Sequence, residues 1–400
     1  MTSLLVHNIG SLVTNASDVP GELGIVENAA VALRDGVIVW AGPADEIPVA
    51  LRRSASLDTE RRAVLPGFVD SHTHLVFAGD RADEFSARLA GASYEEVLAA
   101  GGGIHSTVAA TRGASFDELV AQSTERARRM LLAGTTTAEI KSGYGLTVED
   151  EVRMLEAAAA VSERTGLGVV RTFLGAHVPD RGMSEDDYTT LVVDEMLPAA
   201  AAHADFCDVF VDGGAFGIDS ARRIFNGAAE HGLAPRLHAE QFTRTGAAAL
   251  AAEVGAASAD HLDHATADDA AALADAGVSA VLLPGAGFSM GVPQAPARML
   301  WDAGVTVALA TDCNPGTSFV ESMSFVIAVA CIEMGLTPDE AVWAATRGGA
   351  RSLRRDDVGI VRPGAAADLV ILDAPAHHHI PYRPGSDLVW KVIKGGEVVE

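Results

Sequence analysis

Basic residues are scarce: 29 Lys and Arg stand against 54 Asp and Glu, which leaves a formal net charge of −25 over 400 residues. A surface of that sign repels phosphate backbones and anionic lipid headgroups, so nucleic acid and membrane surfaces are excluded as partners. Cysteine is nearly absent. The three present, Cys207, Cys313 and Cys331, are odd in number and far apart, which argues against a disulfide framework. No uninterrupted apolar run reaches the about 18 residues that a membrane span needs. The N-terminal MTSLLVHNIGSLVTN lacks the basic start of a secretory signal, and the cytoplasm is the expected compartment. Repeats and low-complexity segments are missing too, apart from Ala-rich helical stretches. No Gly-rich phosphate fingerprint occurs, which leaves an open doubly wound sheet as runner-up architecture.

What is present is a long alternation of apolar strand-like runs with amphipathic helical patterns. VLPGFVDSH, TTTAEIKS, GVVRTFLGAH, FCDVFVD, APRLHAE, ASADHL, SAVLLPG and TVALATD read as strands. FDELVAQSTERARRMLLAG, VEDEVRMLEAAAAVSERTG, DSARRIFNGAAEHG and TADDAAALADAG read as helices, several ending in Gly as helix stops should. Eight such pairs predict an α/β protein built on a (β/α)8 TIM barrel over residues 64–359. The two chain ends, 1–63 and 360–400, carry short alternating strands, including a hairpin signal at "RDG". They predict one small composite β-sandwich domain into which the barrel is inserted.

Polar residues interrupt the apolar strands at their C-terminal ends, the end where barrel active sites are built. His72 and His74 close the first run, and on a strand residues i and i+2 face one side, so both imidazoles can reach one cation. His238 at the fifth strand and Asp312 at the eighth are candidates to complete an N/O metal site with room for water. Such donors suit zinc, iron, manganese or nickel. A metal there polarises a carbonyl and brings the pKa of water toward about 7, which points to hydrolysis of a C–N bond.

The segments LPGFVDSHTH, LHAEQF, ADHL, LATDCNPGTS and GIVRPGAAADLVILD resemble the amidohydrolase superfamily of metal-dependent hydrolases. HTHLVFAGDRADEF, GGGIHSTVAATR, TTTAEIKSGYGL and TFLGAHVP are similar, more specifically, to the members that open the imidazolone ring in histidine degradation. The resemblance implies one divalent metal, zinc or iron, on His72, His74, His238 and Asp312. It implies a small-molecule substrate carrying a carboxylate, contacted by Arg81, Tyr144, His177, Gln241, Asn314, Gly316 and Thr317, with His261 and Asp312 moving protons. The reaction implied is imidazolone propionate plus water to N-formimino-L-glutamate.

Three positions depart from the superfamily's habits. Ser71 replaces a usual proline, LLPGAGFSMG lacks extra aromatics after the seventh strand, and Gln241 stands where related deaminases carry Glu. Gln takes no proton, which favours ring opening over deamination. The alternatives are another cyclic-amide hydrolase or deaminase, and a non-catalytic binding protein, against which the complete ligand set argues.

Other readings are plainer. Arg81 has a rival explanation as an ion-pair patch with Asp80, Asp83 and Glu84. His105 is expected in a flexible Gly-rich loop at residues 101–105 that closes over the site, His377–His379 in a solvated loop, and Lys141 at the core mouth. Glu240 should point away from the pocket and Cys313 should pack inward. Asp208 and Asp212 have no assigned role. Ala-rich outer helix faces would suit a homodimer.

Overall fold

The protein is described by a computed structural model covering residues 3–17, 19–52, 54–92 and 101–399. The chain begins with β1 (Ser3–Leu12), β2 (Val26–Arg34), β3 (Val37–Pro43), β4 (Ala55–Asp58) and β5 (Ala63–Pro66). β2 and β3 form the expected hairpin, its turn made by Asp35 and Gly36 at φ of 49° and 82°. Both values are left-handed, as a type I′ turn requires.

The barrel follows: β6 (Phe68–Asp70), β7 (Thr135–Lys141), β8 (Gly168–Ala176), β9 (Phe206–Val211), β10 (Ala234–Ala239), β11 (Ser258–His261), β12 (Ser279–Leu282) and β13 (Val307–Leu309). Every neighbouring pair is parallel. The cylinder closes just beyond the first and last strands, where Thr73 bridges Cys313 in parallel and His74 N–H donates to the Cys313 carbonyl at 3.0 Å. All eight strands foreseen from sequence are present. The first differs in one respect: its apolar run is divided at Gly67, with β5 in the terminal sheet and only β6 in the barrel. A Cβ at Gly67 would lie 2.1 Å from Thr136 Oγ1, so only glycine lets the backbone cross so closely from one sheet to the other.

β14 (Leu369–Leu372), β15 (Val389–Lys394) and β16 (Glu397–Val398) return to the N-terminal strands, with β14 antiparallel to β5. The two chain ends are thus one hydrogen-bonded sheet, folded over a core that includes Val6, Ile9, Val31, Val64, Leu369 and Ile393.

The barrel helices carry local start and stop signals. Phe116–Leu132 begins with a Ser115/Glu118 capping box, and Ala267–Ala276 with Thr266/Asp269 and ends at left-handed Gly277. Val148–Thr165 runs from a Thr147 cap to left-handed Gly166. Two further helices differ from expectation. Ala82–Leu89 starts directly after Arg81, and Ile104–Gly113 takes up part of the expected Gly-rich loop, putting His105 in a helical first turn. Gly101 and Gly103, at φ of 88° and 83°, confine the turn to the residues before that helix. His377 also departs from the solvated-loop expectation: it is buried and bonded through Nε2 to Asp339 at 2.7 Å. Among the described residues no helix is long and apolar enough to cross a membrane.

Candidate active site

The C-terminal ends of the barrel strands open onto a cavity of about 530 Å³. His74, His238 and Asp312 line it, with His72 fully buried beneath. The Nε2 atoms of His72 and His74 each lie 3.6 Å from Asp312 Oδ1, and His238 Nε2 lies 3.3 Å from His74 Nε2. Two overlapping sets of donor atoms therefore meet at His72, one with His74 and Asp312 and one with His238 and His261, the atoms of each set lying within 4.8 Å of one another. His72 Nε2 is buried with no hydrogen-bond partner. An orphaned imidazole nitrogen among two other imidazoles and a carboxylate is a donor set that fits a divalent metal ion.

His261 belongs to the same cluster, its ring centroid 5.3 Å from that of His238 and 5.5 Å from that of His72. It ends β11 at φ 75°, and Asp312 has φ 53°. Left-handed backbone at non-glycine residues costs on the order of 1–3 kcal/mol and gathers at functional sites. Here it turns both side chains off the regular strand direction. Burial holds the Asp312 carboxyl well above the usual carboxylate range and pushes the His72, His74 and His261 imidazoles well below theirs. In each case burial disfavours the charged form.

The residues assigned to substrate lie on the same cavity. His177 follows β8, stacks on His74 at 5.1 Å and directs Nδ1 to the Gly143 carbonyl at 3.0 Å, which turns its Nε2 edge toward the cavity. Burial, helped by His238, lowers its pKa to about 3. Tyr144 sits in the loop after β7 with its ring 5.4 Å from that of His177, and burial raises its phenol pKa. Gln241 lines the wall, whereas Glu240 turns away as expected and accepts the N–H groups of Thr245, Gly246 and Ala248 at 2.7–3.2 Å.

Arg81 combines both sequence readings. Its Nε donates to Glu84 at 2.8 Å and its Nη2 to the other Glu84 oxygen, while Nη1 faces the cavity beside Gly316. A Cβ at Gly316 would come within 2.2 Å of that nitrogen, so glycine keeps the space open. Asn314 is differently employed. Its Oδ1 accepts the Gly316 and Thr317 N–H groups, each at 2.8 Å, and its Nδ2 donates to the Asp312 carbonyl at 2.7 Å. It braces the loop that presents Gly316 and Thr317, whose N–H groups are thereby already engaged.

Several buried charged residues around the site were given no role by the sequence: Lys141, Asp208 and Asp212 were named without one, and Glu139, Glu151, Arg236 and Asp260 were not named. Lys141 lies below the mouth, fully buried, with Nζ 2.6 Å from Asp208, 3.0 Å from Glu139 and 3.4 Å from Asp260. Arg236 joins this layer through Glu139 at 3.0 Å and donates to the Ser71 carbonyl at 2.8 Å. Glu151, buried at the start of the helix after β7, accepts the N–H groups of Gly143, Gly145 and Leu146 at 2.7–2.9 Å and so shapes the Tyr144 loop. Asp212 accepts the Phe242 N–H at 2.7 Å next to Gln241. A run of acidic residues just inside a helix start was the available signal for Glu151. For Asp208 and Asp260, a carboxylate inside an otherwise apolar barrel strand was the clue. Cys313 packs in the core as expected.

The amidohydrolase family profile matches residues 63–399. The chain is 55% identical over 400 residues to the imidazolonepropionase of Salinispora arenicola, covering 99% of this chain and 98% of that one. It is 52% identical to the imidazolonepropionase of Mycolicibacterium smegmatis, covering 100% and 98%. Among solved structures it is similar to a triazine hydrolase of Arthrobacter aurescens, with TM-score 0.79 and 18% identity over 100% of this chain and 94% of that one. An adenosine deaminase of Xanthomonas campestris with bound zinc gives TM-score 0.73 and 21% identity over 99% and 92%. At such identities the structural likeness speaks for the barrel fold, while the full-length relatives carry the finer relationship. The chain is a hydrolase that belongs to the amidohydrolase family and, within it, to the imidazolonepropionases.

Proposed function

We propose that the protein opens the imidazolone ring of imidazolone propionate, adding water to give N-formimino-L-glutamate in histidine degradation. The observation that carries this reading is a guanidinium fork, Arg81, on the wall of the same cavity in which three imidazoles and an aspartate converge. With its forked edge held by Glu84, the guanidinium can still give a carboxylate one charge-assisted hydrogen bond through Nη1, and the imidazoles and carboxylate gathered there suit hydrolysis of a C–N bond.

His72, His74, His238 and Asp312 would hold one divalent ion; their nitrogen and oxygen donors suit several transition metals, of which the family resemblance implies zinc or iron. Bound there, the ion supplies Lewis acidity toward the ring carbonyl and makes water acidic near neutral pH. The remaining work falls to side chains. Arg81 Nη1 takes the propionate, and Tyr144 and His177 Nε2 bond the polar atoms of the ring. Gln241 can orient the substrate through its amide but cannot exchange a proton. As water adds to the ring carbonyl carbon, Asp312 accepts its proton at a carboxylate oxygen, assisted by His261. The C–N bond then breaks and the proton passes to the departing ring nitrogen, so one water is consumed and nothing else leaves. A cytoplasmic homodimer is the working form that goes with this reading.

The test is direct: freshly generated imidazolone propionate is offered to the metal-loaded protein, beside aminated heterocycles assayed for ammonia. Ring opening without ammonia release is expected. Ammonia release with the imidazolone left intact would reject the reading in favour of a deaminase.

A further inference from the structure

We propose that Asp208 and Asp260, tied together by Lys141, are positioning residues that fix the tautomer and aim of two metal-facing imidazoles. The inference rests on the metal site proposed above and concerns what stands behind it. His72 Nδ1 lies 2.7 Å from Asp260 Oδ2, and its opposite nitrogen, Nε2, points to the converging donors without a partner. A carboxylate at that distance holds the proton on Nδ1 and leaves the Nε2 lone pair for a cation. Asp208 approaches His238 from the neighbouring side more loosely, at ion-pair distance from Nδ1 and without the hydrogen-bond geometry of the first pair. Its Oδ2 lies 3.0 Å from His238 Nδ1, while its Oδ1 accepts the His238 main-chain N–H at 3.2 Å.

One ammonium joins the two carboxylates. Lys141 Nζ is 2.6 Å from Asp208 Oδ2 and 3.4 Å from Asp260 Oδ2, and all three side chains are fully buried. The plain alternative is an ion cluster that merely fills the barrel. Burying charges carries a heavy desolvation cost, and apolar side chains fill such a space as well or better. The layer also contains its own comparison: Glu139 contacts Lys141, Arg236 and Thr172 but bonds no imidazole. Three carboxylates stand against two cations in this layer, a formal excess of acidic groups beneath the imidazoles that favours a cation above it.

The experiment uses the full-length protein stripped by chelator and titrated with zinc ion alone against a chromophoric competitor. Asp260→Asn and Asp208→Asn are each expected to weaken zinc binding about 10–100-fold, and Glu139→Gln much less. Equal losses in all three would mean a general collapse of the charge layer and would overturn the proposal, as would wild-type affinity in both Asp variants. Nitrogen-15 NMR of the metal-free wild type gives a second readout that needs no variant to fold. His72 and His238 should both carry the proton on Nδ1, and a proton on Nε2 of either would overturn the assignment. A wild type that binds no zinc would sink the metal site itself, whereas its imidazole tautomers would still report on Asp208 and Asp260.

Discussion

Replacing Arg81 by Lys probes the recognition of substrate most sharply, because the two edges of its guanidinium have different partners. The Nε and Nη2 edge is held by Glu84, and Nη1 lies beside Gly316 in the cavity wall. Lysine keeps the positive charge but cannot grip Glu84 with a fork and reach the cavity at once. The loss expected is one charge-assisted hydrogen bond, about 1.5–3 kcal/mol, which corresponds to about a 10- to 150-fold weaker interaction. The contact is made by a part of the substrate remote from the reacting carbonyl, so it should be equally strong in ground and transition states. Steady-state kinetics with imidazolone propionate should therefore show a raised KM and a nearly unchanged kcat. An analogue whose carboxylate is replaced by an amide should bind wild type and variant alike. A normal KM for Arg81→Lys, or an equal loss with the amide analogue, would refute the carboxylate assignment and leave Arg81 as the partner of Glu84 only.

Three further outcomes are expected. Glu151→Gln should raise KM through a misplaced Tyr144 loop. The same change in a Tyr144→Phe background should add little, and a fully additive double-mutant cycle would contradict this. Gly349→Ala would drive a Cβ to within 2.3 Å of the Val69 carbonyl oxygen, and a backbone atom cannot step aside cheaply; a loss of about 1–3 kcal/mol is expected, read as a lowered Tm. His177 protonates near 6.5 in an unfolded chain but only near about 3 when folded. Between those values the unfolded state binds the extra proton, so this histidine costs the fold stability as pH falls. Relative to wild type, His177→Asn should gain on the order of 1 kcal/mol per pH unit below 6.5, measured by urea denaturation at pH 7.5 and 5.5. No relative gain would contradict the burial argument.

The barrel was legible because its strands are short apolar runs closed by polar residues, and because Ser115, Thr147, Thr266, Gly166 and Gly277 mark helix ends in a purely local code. His72 and His74 were legible as the polar pair closing the first apolar run, although they lie beyond β6, on either side of the isolated bridge at Thr73. The layer beneath them was not. Barrel strands are buried on both faces, so an acidic residue such as Asp208 or Asp260 carries no periodic mark of which way it points. Direction fails further where the backbone turns left-handed: Asp260 and His261 are consecutive, yet both reach the metal-facing cluster, because His261 has φ 75°. The division of the first strand depended on the contact between Gly67 and Thr136, which are 69 positions apart in sequence. For Arg81 the ion-pair patch with Asp80, Asp83 and Glu84 was the rival to substrate binding; of those three, Glu84 holds the guanidinium, and the sequence could not say that Nη1 is left over beside Gly316.

The central claim is that His72, His74, His238 and Asp312 share one divalent ion. Anomalous diffraction from crystals of the metal-loaded protein tests it most directly. A single strong peak within coordination distance of three imidazole Nε2 atoms and the Asp312 carboxylate is predicted. No peak at that point, or metal bound only elsewhere, such as at His377–His379, would contradict it.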